Sequence, residues 1–94
     1  MSKELELKKL LMNSHWPKCN NIAEELFIIG SDAAKEVLID ALKAKRHHIR
    51  TASLKALAKF EDPSLLKHLE PLINDSAYET RTEAEKIIQA LKKQ

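Results

Sequence analysis

Ninety-four residues suffice for one domain around a single hydrophobic core and leave no room for a second. The chain is 44% hydrophobic and 32% charged, with one glycine, three prolines and four aromatic side chains, a balance that disfavours sheets and favours helices. Formal net charge is only +2, which excludes strong whole-molecule steering, but it is unevenly placed: residues 1–42 sum to −2, residues 43–60 to +6 and residues 61–94 to −2.

Internal self-similarity organises the elements. Shifted by 31 residues, the chain aligns with itself, and the apolar positions of the aligned copies recur at i, i+3 and i+4, one stripe of a helix. In the first copy, Leu7, Leu10 and Leu11 predict a helix; Ser14 and Pro17 mark the turn and the next start; and Ile22, Leu26 and Ile29 predict a second helix that ends at Gly30, the only glycine. In the second copy, Leu38, Ala41 and Leu42 are followed by Ser53, Leu57 and Phe60 in the same columns. The third opens at Asp62-Pro63, where a carboxylate caps free amides and proline occupies a first turn that needs no N–H from it. Leu69, Leu72 and Ile73 then predict its first helix. Ser76 and Glu79 have capping-box spacing, and Ala84, Ile88 and Leu91 make the last stripe.

These residues carry a resemblance. The run IRTASLKALAKFEDPSLLKHLEPLINDSAYETRTEAEKIIQAL resembles HEAT-like repeats of the type also found in phycobilisome lyases. It does so through Ile49-Arg50, Ala52, Ala56-Leu57, Asp62-Pro63, Leu69, Leu72, and Asp75 with Arg81 six positions on. The first copy departs from the pattern, with Lys18-Cys19 in place of a Val-Arg pair and Asn13 in place of the aspartate. The expected fold is all-α: a right-handed α-solenoid of three helical hairpins, six helices in all, in units of about 1–31, 32–62 and 63–94. The resemblance implies that first helices lie on the convex side and second helices on the concave side. The expected function is a small non-enzymatic module that binds protein or peptide through its concave face and inter-repeat turns; only distant kinship within the family implies an enzyme of the DNA glycosylase or bilin lyase kind.

Chemistry-bearing residues are sparse. The basic belt of residues 43–59 holds Lys43, Lys45, Arg46, Arg50, Lys55 and Lys59 and no acid, which makes nucleic-acid phosphate-backbone binding the rival reading. No aromatic side chains interleave with it for base stacking, and the flanking units are acidic. His47 and His48 are consecutive, and neighbours on a helix diverge by about 100°, so a shared metal is not expected. His15 and Cys19 have i, i+4 spacing but supply only two ligands. No His-Glu dipeptide occurs, which removes the iron chemistry of HEAT-repeat hydroxylases, and neither a catalytic nor a cofactor-binding set is evident.

Cys19 has two readings, a thiol activated at a helix start beside Lys18 or a small apolar filler. As a lone cysteine it forms no internal disulfide and points to a reducing compartment, so a cytoplasmic location is expected. The N-terminus, MSKELELKKLLMN, mixes charge with leucine unlike a signal peptide, and no run of 18 apolar residues occurs, so neither secretion nor a membrane partner is expected. Trp16, His47 and Tyr78 share a column that stacking would turn into a ridge, or each ring covers the turn of its own unit. Leu5, Met12, Phe27 and Ile28 are apolar outside the repeated stripe, which predicts weak self-association through the N-terminal unit. The candidate partner contacts are therefore Arg46, Arg50, Leu54, Lys55, Trp16 and Tyr78.

Overall fold

Each helix begins and ends where local chemistry can satisfy its free amides and carbonyls. In the computed structural model, which describes residues 2–94, α1 spans Lys3–Met12; the Ser2 hydroxyl accepts the Leu5 N–H at 3.2 Å, and Glu4 and Glu6 face the positive end of the helix. α2 spans Lys18–Ile29 and ends on Gly30, whose φ of 65° is the left-handed stop expected there. α3 spans Asp32–Ala41. Ser31 accepts the Ala34 N–H at 3.0 Å and donates to Glu4 Oε2 at 2.7 Å, tying the start of α3 back to α1. α4 spans His47–Ala58, and Glu61 takes a left-handed conformation (φ 51°) after it.

The third hairpin departs from the expected pair of full helices. Its first arm is a 3₁₀ turn at Pro63–Leu65, a single α-turn, α5, at Leu66–Leu69, and a second 3₁₀ stretch at Glu70–Asn74. Pro71 lacks an N–H and its ring clashes with the preceding turn of an α-helix, so the chain tightens into 3₁₀ geometry. The tighter winding also re-aims the side chains: Leu65, Leu69 and Leu72 are buried, whereas Ile73 is 41% exposed although its column partners Leu11 and Leu42 are buried. α6, Tyr78–Lys92, is the longest helix.

Two expected caps are replaced. Asp62 caps as anticipated, accepting the Ser64 N–H at 3.0 Å, but the Ser76–Glu79 box does not form, and Asp75 Oδ2 accepts the Ala77 N–H at 2.9 Å instead. Ser14 does not start α2 either; its hydroxyl donates to the Leu11 carbonyl at 2.7 Å and closes the end of α1.

Packing follows the stripes. α4 is the centre of the molecule, with α2 and α6 against it and α3 beneath, while α1 packs on α2 and α3, and α5 with its flanking turns packs on α6. The result is an all-helical slab of 37 × 26 × 17 Å whose thin dimension holds two layers of helices. Leu11, Leu26, Leu38, Leu57 and Leu69 are fully buried, and each such leucine contributes about 1.5–3 kcal/mol relative to an exposed one. Thr51 and Thr80, buried on α4 and α6, share a hydrogen bond at 2.9 Å that fixes how these two helices meet. No described helix is long and apolar enough to cross a membrane.

Candidate functional site

The basic belt is largely consumed by contacts between units. Arg50 meets Asp75 side-on, Nε to Oδ1 at 2.7 Å and Nη2 to Oδ2 at 2.8 Å, and its Nη1 donates to the carbonyls of Ala44 and Lys45 at 2.8 and 2.9 Å. The Arg50 guanidinium holds the Asp75 carboxyl below the usual carboxylate range. Lys59 pairs with Glu24 and Lys55 lies 3.9 Å from Glu83, so α4 is bridged by charge to both α2 and α6. Arg46 is exposed but donates to the Ser14 carbonyl at 3.1 Å, linking the α3–α4 turn to the α1–α2 turn. Among the belt residues, Lys43, Lys45 and Arg46 have no carboxylate within ion-pair distance among the described residues.

Two of the expected partner contacts are thereby corrected. Leu54 is fully buried, because α4 is enclosed on several sides and its apolar face is wider than one stripe. Arg50 is spent on Asp75, with only 11% of its side chain exposed. The other four, Arg46, Lys55, Trp16 and Tyr78, are on the surface.

The aromatic column divides rather than forming a ridge. Trp16 is 62% exposed and leans toward His48 of the next unit, ring centres 6.1 Å apart. His47 lies against His48 at 4.0 Å, not the divergent pair expected, and Tyr78 is exposed beneath the Arg81 guanidinium at 5.7 Å. Cys19 is fully buried with its thiol pointing to the His48 carbonyl at 3.6 Å, and burial pushes its pKa up. This is the filler reading of Cys19; activation would require the opposite shift.

A cleft of about 490 Å³ separates α3 from the broken first arm of the third hairpin. Its walls are Ile39, Leu42, Pro71 and Leu72, with Lys43, Lys67 and His68 at the rim. Its two carboxylates are already engaged, Asp40 by Lys8 at 3.0 Å and Asp75 by Arg50. The first unit presents a different surface. Leu10 is 55% exposed although Ala41 and Leu72, its column partners, are buried, because no unit stacks on that side among the described residues. With Leu5, Trp16 and Ile28 it leaves that unit apolar outside.

A family model for HEAT repeats matches residues 6–92. The chain belongs to the HEAT repeat family. No curated protein sequence matches it. HEAT repeats generally serve as protein-interaction scaffolds and are typically non-enzymatic. The match is to HEAT repeats in general and does not single out the phycobilisome-lyase type. Within this HEAT repeat chain the cleft is the feature missed from sequence. Its signal was present, since Pro71 interrupts an otherwise regular helical stripe.

Proposed function

We propose that this HEAT repeat chain is a non-enzymatic module that holds an acidic, amphipathic segment of a partner protein in the cleft between α3 and α5. The observation that carries the reading is the imbalance of charge around an apolar floor. Both carboxylates of the cleft are neutralised from within the chain, whereas Lys43 and Lys67 have no carboxylate in ion-pair distance among the described residues. A carboxylate on an incoming segment would complete that pairing, and leucine-like side chains beside it would cover Ile39, Leu42 and Leu72.

The test is fluorescence anisotropy with a labelled helical peptide carrying glutamates on one face and leucines at i, i+4 on the other. Binding that is lost in the exposed variants Lys43→Glu and Lys67→Glu supports the reading. Equal affinity for wild type and both variants refutes it, as does no binding at all.

A second reading, phosphate-backbone binding, is favoured only by the unpaired Lys43 and Lys45 and the exposed Arg46. Labelled duplex titrated at two salt concentrations tests it, with a steep salt dependence lost on Arg46→Glu as the supporting result. Arg46 is the appropriate variant because Arg50→Glu would disturb the fold. Trp16, Lys55 and Tyr78 do not line the cleft. The buried thiol of Cys19 suits a reducing, cytoplasmic setting.

A further inference from the structure

We propose that His47, His48 and Glu79 form a binding site for a divalent transition-metal ion of the Zn²⁺ class, placed where α4 meets α6. One ligand atom from each residue falls within 4.8 Å of the other two. His48 Nδ1 is buried without a hydrogen-bond partner among the described residues and sits 3.8 Å from Glu79 Oε1. A zinc ion bonded at about 2.0–2.2 Å to nitrogen and oxygen needs its ligand atoms about 3.3 Å apart, so that pair has to close by only about half an ångström. Glu79 can make the movement, since 58% of its side chain is exposed.

Neighbouring histidines can share an ion here because their rings lie against each other at the start of α4. His47 follows Arg46, whose backbone is extended (φ −83°, ψ 125°), and the two imidazoles lie side by side with ring centres 4.0 Å apart. Their backbone positions still diverge by about 100°, and it is the side chains that turn toward each other. Two imidazoles and one carboxylate suit zinc, nickel or copper, while calcium and magnesium prefer all-oxygen shells. The positive ends of α4 and α6 oppose a cation, and the charge of Glu79 offsets them. Three protein ligands leave a coordination position for water or for a side chain of a bound partner. Because the ligands come from two units, an ion held there stabilises their junction.

Isothermal titration of the whole chain with ZnCl₂ tests the site, with the thermal midpoint as a second readout. One ion per chain is expected, accompanied by a rise in the midpoint. Glu79→Gln and His47→Asn should weaken binding by at least about tenfold, with unchanged helicity in metal-free buffer. His15→Asn and His68→Asn should bind as wild type does. Zinc affinity unchanged in Glu79→Gln and His47→Asn, or an affinity lost equally in the His15 or His68 variant, overturns the proposal. So does an absence of zinc binding to the wild-type chain.

Discussion

Arg50 and Asp75 lie 25 residues apart in sequence and face each other through two parallel hydrogen bonds of 2.7 and 2.8 Å, with side chains only 11% and 9% exposed. The pair joins α4 to the turn that opens α6, and Asp75 holds that turn through the Ala77 N–H. Removing either partner leaves the other charge buried and unpaired. Arg50→Ala or Asp75→Ala should therefore destabilise the chain by about 3 kcal/mol, read from urea unfolding. The double variant should lose less than the sum of the two, because the second substitution removes the orphaned charge.

Acid should act through the same carboxylate. The Asp75 pKa lies below its unfolded value, chiefly because of the Arg50 hydrogen bonds, so its contribution is complete above the ordinary aspartate range and disappears as pH falls through the folded value. Asp62 and Glu4 shift in the same direction through their contacts with Ser64 and Ser31, but both are on the surface. The stability gap between wild type and Asp75→Asn should be full at neutral pH and close as pH falls below about 4. A gap that persists undiminished at lower pH would show that the pairing is not its source.

Leu54 and Lys55 are adjacent on α4 and should respond very differently. Leu54→Ala should cost about 2–5 kcal/mol, as expected for a fully enclosed leucine. Lys55→Ala should stay within about 0.5 kcal/mol, because its Glu83 pairing is long and its side chain is 53% exposed. Thermal unfolding of the two variants measures the contrast.

Self-association should run through the first unit. Leu10 and Ile28 are 55% and 72% exposed, so Leu10→Glu and Ile28→Glu should leave stability nearly unchanged. In sedimentation velocity, wild type should show a coefficient that rises with concentration and the variants should not. A wild type that stays monomeric at high concentration would remove this contact.

The helical stripes were legible because burial follows the period of a helix. Leu26, Leu57 and Ile88 share a column and are all buried, as are Leu7, Leu38 and Leu69. Leu10 and Ile73 broke their columns for two separate reasons, a missing neighbour in one case and 3₁₀ winding in the other. Periodicity sees neither the edge of a stack nor a change of pitch. The candidate contacts were less legible still. Arg50 reads in sequence as one more cation of a basic run, and only the fold brings Asp75 against it. Likewise the Thr51–Thr80 bond and the meeting of His47, His48 and Glu79 depend on two helices crossing at one place.

The single α-turn of α5 has a consequence for motion. Four residues at Leu66–Leu69 between two 3₁₀ stretches offer few cooperative backbone hydrogen bonds, so this arm should exchange its amide protons well before α4 does. One wall of the cleft is thus pliant and the other, α3, is firm, an arrangement that lets the gap widen or narrow without disturbing the central helix.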